Sequence, residues 1–386
     1  MVIEKYVRSY AEGFDKLDRD EWNYEDGCVL IGLQVMYEVT GEEFYFNAIQ
    51  NYIDRYVGKD GTIKGYNQQE YNLDRIPSGR VLYMLYEKTG KPQYRAAIEK
   101  LMEQLRHHPR TKCNSYWHKK IYPNQIWLDG LYMGMPYYAL YEKNFGDGSG
   151  FADIVNQFKN ARKYLYDDKT GLYYHGYDES REVFWADKTT GLSQNIWSRA
   201  LGWYMMGLVD CYEIIREAYP EGAECLKELY CEMVEAILKY QDPESGLFYQ
   251  LTVLPEVEGN YLETSSSLMF AYSIIKGCRL NLLDKAYRGK GEEILIGLET
   301  RMFSCSHGKL SLDGMCVGAG LGPEDNHRRD GSIEYYLAER VVRDEQKGAG
   351  VAMMACGEWM RMDKSVDEKG SYPCVGIYND GYPLLK

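Results

Sequence analysis

Two aspartates sit where a carboxyl could do proton chemistry: Asp74 in NLDRIPSG and Asp129 in WLDGLYMGMP, each heading a run apolar enough to be a buried helix. A carboxyl working near neutral pH can give a proton to a substrate atom and then take one from water. At the same phase of the chain lie Arg199 with Trp203 in WSRALGW, and Trp22 with Tyr24 in WNYEDG. Arg75, Trp127, Trp197 and the polar run 264–267 share that phase, while the loops feeding it add Trp117 with His118 in SYWHKK, His175 in LYYHGYD, Trp185 and Asp187. Carboxylates, histidines, an arginine and flat rings with polar edges are an inventory for handling carbohydrate.

Each of these residues has a plainer explanation. Asp129 and Asp74 could cap helix amides, the second helped by Pro77. A loop histidine is often structural, Arg199 could pair with a carboxylate of a neighbouring helix, and Trp203 could be core. What argues for a site is the convergence of all of them at one phase of a repeat. The chain carries ten cysteines without a CxxC pair, and no HxxEH-like spacing among its six histidines. No metal is therefore expected, and the thiols read as reduced.

The elements that must position these residues repeat along the chain. YEVTGEEFYFNAI at 37–49 returns as YEKTGKPQYRAAI at 86–98 and more loosely as YEKNFGDGSGFADI at 141–154. In each, a helical run closes at a glycine suited to the left-handed position and a second amphipathic helix begins within a few residues. Six runs are apolar nearly all round and rich in small residues: EDGCVLIGLQVM, PSGRVLYMLY, DGLYMGMPYYAL, RALGWYMMGLVD, TSSSLMFAYSII and GVAMMACGEWM. They alternate with more charged helices over 4–17, 42–57, 92–106, 150–166, 222–240 and 286–303. Helices buried on both sides belong to an inner layer and charged ones to an outer layer, which predicts an all-α double ring, an (α/α)6 toroid, in one domain spanning 1–386. KDGTIKGY at 59, DKTGLYYHGY at 168 and DPESGLFYQ at 242 predict short two-stranded elements on one rim, and 304–327 reads as a long loop over the cleft.

Composition narrows the partners. A net charge of −13 leaves no basic stripe for nucleic acid. No stretch of eighteen apolar residues occurs, and MVIEKYVRSYAEGF lacks the apolar core of a signal peptide, so no membrane partner and a cytoplasmic location are expected. Thirty-seven tyrosines and seven tryptophans suit a sugar cleft. A small anionic oligosaccharide can bind an acidic protein where arginine and helix N-termini reverse the local sign. The expected state is a monomer or weak homo-oligomer.

WLDGLYMGMP at 127, WSRALGW at 197, WNYEDGCVLIGL at 22, WHKK at 117, YYHGYD at 173 and RRDGSIEYY at 328, in this order over essentially the whole chain, resemble the unsaturated rhamnogalacturonyl hydrolases of glycoside hydrolase family 105. The resemblance implies removal of a 4,5-unsaturated galacturonyl residue from the non-reducing end of a pectin fragment by hydration of C4=C5, with no cofactor required. It matches Asp129 to the general acid and base, Asp74 to a second essential carboxylate, and His118, His175, Arg199, Trp203, Tyr24 and Trp22 to substrate-binding positions. On that basis Asp74 is expected to raise the proton affinity of Asp129 by like-charge repulsion, Arg199 to hold the uronate carboxylate and Trp203 to stack on the sugar ring. Three rival readings remain: an unsaturated glucuronyl hydrolase, for which only Arg328 and Arg329 offer extra basic charge at the rim; a sugar epimerase working through His118 and His175; and a sugar-binding protein without turnover.

Overall fold

A computed structural model describes residues 1–14 and 21–367, with the backbone alone at 363–367. The end of the helix expected over 4–17 and Cys374 lie outside the described residues. Helices α1 (Val2–Phe14), α2 (Tyr24–Thr40), α3 (Glu43–Tyr56), α4 (Val81–Thr89), α5 (Pro92–His107), α6 (Leu128–Asn144), α7 (Phe151–Tyr164), α8 (Ser198–Ile215), α9 (Pro220–Ile237), α10 (Thr264–Arg279), α11 (Tyr287–Arg301), the short α12 (Ile333–Ala338) and α13 (Gln346–Asp367) follow in order.

Their faces decide their layer. In α8 nearly every residue from Ser198 to Cys211 is buried, whereas in α5 the buried positions Tyr94, Ala97, Ile98, Leu101, Met102 and Leu105 form one stripe. Helices of the first kind, α2, α4, α6, α8, α10 and α13, pack side by side, and α13 meets α2 to close the ring. Those of the second kind, α3, α5, α7, α9, α11 and α1, each lie outside an inner helix. This is the six-hairpin (α/α)6 toroid. Small residues let the inner helices approach: a Cβ at Gly350 would stand 2.3 Å from the Cys28 carbonyl carbon. The repeated hairpin glycines, Gly41 (φ 72°) and Gly90 (φ 65°), adopt the left-handed conformation that ends α2 and α4, which costs other residues roughly 1–2 kcal/mol.

Two boundaries differ from the sequence reading. The inner segment at 77–86 begins as a 3-10 turn, Pro77–Arg80, before α4, and Leu101 and Tyr137 crowd Gly79 within it. The stretch 304–327 is not one loop: Phe303–Ser306 pairs with Lys309–Leu312, then Met315–Cys316 pairs with Val341–Val342.

The rim carrying the inner-helix N-termini is tied together by short antiparallel bridges. Asn72 pairs with Lys119, 125–127 with 176–178, Tyr177 with Leu192, Trp197 with Leu251, and Tyr249 with Leu262. Of the three predicted rim elements, the second forms a two-stranded pair, 166–167 with 172–173. The first reduces to a single bridge, Val57 with Ile63. The third is a turn closed by the Asp242 amide on the Leu247 carbonyl.

Candidate active site

One backbone construction recurs along this rim. The amide of Leu73 donates to the carbonyl of His118, that of Leu128 to His175, that of Ser198 to Gln250, each at 3.1 Å, and that of Thr264 to Gly314 at 3.0 Å. In each case the first residues of an inner segment are clasped to a rim loop that follows later in the chain. The next residue in line is Asp74, Asp129, Arg199 and Ser265 respectively. The repeat thus sets Asp74 beside His118 and Asp129 beside His175, side chain as well as backbone.

Asp129 lies in the first turn of α6, yet the helix has no side-chain cap, so the capping explanation does not describe it. Its Oδ2 is 3.2 Å from His175 Nε2, within pairing distance but off the axis of a hydrogen bond. Such contacts often align only when substrate is bound. The other ring nitrogen of His175, Nδ1, is 2.7 Å from the hydroxyl of Tyr336.

Asp74 has different company. Lys119 Nζ stands 2.6 Å from Oδ2 and His118 Nε2 3.3 Å from Oδ1. Burial pushes the Asp74 carboxyl up, but Lys119 and His118 outweigh it and hold the group far below the ordinary carboxylate range. Burial likewise opposes the charge of Lys119 and is overcome by Asp74. The expectation that Asp74 would act on Asp129 as a bare like charge is corrected here, because Asp74 carries its own cation. Lys119, inside the WHKK motif, was not singled out from the sequence; its place directly after His118 in the repeat was the available signal.

The aromatic residues divide into walls and braces. The rings of His118 and Trp127 stack at 4.4 Å, and Tyr122 stacks on Trp127 at 4.7 Å with its ring 6.3 Å from that of His118. Trp197 packs 4.8 Å from His175, and each of Trp127 and Trp197 donates its indole N–H to a glutamine, Gln125 and Gln250. Trp203, expected to stack on sugar, is 1% exposed, with its face on Tyr132 at 4.8 Å and its edge toward Tyr24. Trp22 is buried completely; its Nε1 donates to the Arg75 carbonyl at 2.7 Å while Arg75 donates back to the Trp22 carbonyl at 2.5 Å. That clasp holds the Asp74 segment. Tyr24 is half-buried, with Lys347 over its ring at 5.5 Å, and burial, Glu25 and Asp74 together push its hydroxyl pKa up.

Arg199 is almost wholly buried, donates to the Cys316 carbonyl at 2.5 Å and lies over Trp197 at 5.0 Å. Its Nη1 has no partner among the described residues. A buried donor left unpaired costs about 1–3 kcal/mol, so this nitrogen is ready for an acceptor. Arg328 instead pairs with Glu339 at 2.8 Å, and Arg329 donates to the Gly320 carbonyl at 2.7 Å. Asp187 caps its own turn through the Thr189 and Thr190 amides, which hold its pKa below the ordinary range. A recess of about 580 Å³ lined by Tyr174, Phe184, Trp185, Asp187 and Gln194 adjoins this loop and contains neither Asp74 nor Asp129. Among the described residues no cluster of three His, Cys, Asp or Glu side chains could hold a metal, nine cysteines are free, and no helix is long and apolar enough to cross a membrane.

An (α/α)6 toroid with carboxylates, histidines and an arginine gathered at one mouth defines a class, the six-hairpin glycosidases. Residues 2–363 match the model of Glycosyl Hydrolase Family 88, and the chain belongs to this family of hydrolases acting on unsaturated uronyl glycosides. It is similar to a glycoside hydrolase of family 105 from C. acetobutylicum ATCC 824, at 41% identity and TM-score 0.88 over 92% of this chain and 99% of that one. It is 39% identical to Protein Atu3128 of Agrobacterium fabrum over 58% of this chain and 97% of that protein. It is 25% identical to the unsaturated rhamnogalacturonyl hydrolase YesR of Bacillus subtilis over 67% of this chain and 72% of that protein.

Proposed function

We propose that this protein removes a 4,5-unsaturated galacturonyl residue from the non-reducing end of rhamnogalacturonan-derived oligosaccharides. The observation that carries the reading is Asp129: at a helix start it caps nothing, is 13% exposed, and has His175 at its back. Likeness to YesR supports the choice of aglycone.

The substrate is an enol ether. Protonation at C4 by the Asp129 carboxyl leaves an oxocarbenium ion at C5. Water adds at C5, giving its proton to the Asp129 carboxylate. The C5 hydroxyl gives up its proton and becomes a carbonyl as the bond from C5 to the ring oxygen breaks. That oxygen takes a proton and stays on C1 as a hydroxyl, and the hemiacetal at C1 collapses to an aldehyde, releasing the aglycone as an alcohol. One carboxyl serves as acid and then base, without the pair at set separation that ordinary retaining or inverting schemes need. The free Nη1 of Arg199 and the positive ends of α6 and α8 meet the uronate carboxylate. Asp74, kept ionised, accepts hydrogen bonds from sugar hydroxyls, and Tyr24 lines the ring. Trp22 and Trp203 brace these residues from behind.

The test follows the ultraviolet absorbance of the conjugated double bond. An unsaturated galacturonyl-rhamnose disaccharide should lose absorbance with wild type and not with Asp129→Asn. A flat trace with that disaccharide and decay with an unsaturated glucuronyl substrate would replace the aglycone and uronate assignment while keeping the chemistry. Activity that survives Asp129→Asn and disappears with His175→Ala would point to the epimerase reading instead.

A further inference from the structure

We propose that Tyr336 is a positioning residue that fixes the neutral imidazole of His175 in the tautomer with its proton on Nε2, the atom facing Asp129. The inference rests on the reading of Asp129 as the proton donor and is decided by counting donors. Tyr336 is fully buried, and its hydroxyl lies 2.7 Å from His175 Nδ1. Among the described residues that hydroxyl has no other hydrogen-bond partner. A hydroxyl offers one proton, and a neutral imidazole has one donor and one acceptor nitrogen. Were the ring proton on Nδ1, it would point at the tyrosine oxygen and the O–H would be an orphaned buried donor. With the O–H donating to Nδ1, both groups are satisfied, and the ring proton belongs on Nε2, 3.2 Å from Asp129 Oδ2.

The surroundings keep Tyr336 in this pose. Ser332 caps α12 by accepting the Tyr335 amide at 3.1 Å, and its carbonyl accepts the Tyr336 amide at 3.1 Å. Gln250 Nε2 reaches the Tyr336 carbonyl at 3.4 Å while its Oε1 receives the Trp197 indole at 3.0 Å. Trp197 in turn packs 4.8 Å from the His175 ring. The repeat-equivalent histidine shows that this arrangement is particular: His118 Nδ1 is buried without a partner among the described residues. In the catalytic cycle, Nε2–H becomes a fixed donor for the carboxylate that Asp129 turns into after protonating C4. Burial, Tyr335 and Asp129 push the Tyr336 hydroxyl far up, with Cys316 acting the same way and Arg329 opposing, so it remains a donor at working pH.

The experiment is long-range proton–nitrogen NMR on the full chain labelled with ¹⁵N-histidine, with the His175 signals assigned by their loss in His175→Asn. Wild type should show His175 protonated at Nε2, with Nδ1 a hydrogen-bonded acceptor, and Tyr336→Phe should lose the bonded Nδ1 signature. In turnover, Tyr336→Phe should lower kcat about tenfold with KM changed less than about twofold, since an oriented acid–base partner acts on the transition state and not on binding. A proton on Nδ1 in wild type overturns the proposal, as does a Tyr336→Phe enzyme with unchanged kcat. The wild-type spectrum decides the tautomer even where the variant fails to fold. It also needs no substrate, so the absence of turnover on any unsaturated uronide would count against the proposed function and leave the tautomer test standing.

Discussion

Asp74 with His118 and Asp129 with His175 are the same construction one repeat apart: an aspartate at the start of an inner segment, its preceding amide on the histidine carbonyl, its carboxylate near the histidine Nε2. They differ in the next residue of the rim loop. After His118 comes Lys119, whose ammonium neutralises Asp74; after His175 comes Gly176, where a Cβ would meet Leu321 at 2.6 Å and Trp127 at 3.2 Å. They differ also at Nδ1, orphaned in His118 and bonded to Tyr336 in His175. One pair is locked as a permanent anion beside a cation. Among the described residues the other has no lysine or arginine paired with it, which suits a carboxyl that is to cycle between acid and base.

The sharpest way to break the comparison is to exchange the carboxyls for amides. Asp129→Asn should lower kcat by about 10²- to 10⁴-fold with the fold intact, the range for loss of a positioned acid–base group, checked by the absorbance assay and circular dichroism. Next in size, Lys119→Met strands the Asp74 charge. Removing one partner of a buried pair costs about 3–5 kcal/mol, and the residual exposure of Asp74 and Lys119, 14% and 22%, brings the expected loss to about 2 kcal/mol in urea unfolding at pH 7.

The same variant has a pH signature. The folded-state pKa of Asp74 is depressed, so its contribution is present above the unfolded value near 4 and is lost as pH falls below that value. Wild type should therefore lose stability on acidification below about pH 4 more steeply than Lys119→Met, and the gap between them should narrow there. Parallel curves would mean that Lys119 does not hold Asp74 ionised.

Gly176→Ala sharpens the comparison from the other side. The new methyl must displace the end of the Leu321 side chain and crowds Trp127, and overpacking of this kind costs about 1–3 kcal/mol; activity should drop with it because Trp127 borders the same spot. The smallest effect is expected for Asp187→Asn, which loosens a rim turn, read as a small drop in the urea midpoint, and leaves kcat and KM unchanged. A loss of activity there would tie the neighbouring recess to the reaction.

Much of the fold was legible because it is periodic. All-round apolar runs such as RALGWYMMGLVD can be stable only when covered on both sides, and the striped helices between them supply the cover. The charged residues of the site were legible as a set for the same reason, since one phase of the repeat opens on one rim. What could not be read was which of them face outward. Trp22 and Trp203 belong to that phase, yet neighbours close over them, Arg75 clasping one and Tyr132 stacking on the other. Lys119 and Tyr336 stood inside quoted motifs without a role, because their importance lies in partners 45 and 161 positions away, Asp74 and His175.

The sequence by itself determined the alternation of inner and outer helices, the glycines that turn one into the next, and the set of acid, base and cationic residues delivered to the rim. Those features follow from local periodicity and conformational preference. Only the tertiary structure decided which carboxylate meets an ammonium and which meets a histidine alone among the described residues. That choice depends on where loops from other repeats place one ammonium and one phenol, and charge and hydrogen bonding over a few ångströms are properties of the assembled ring.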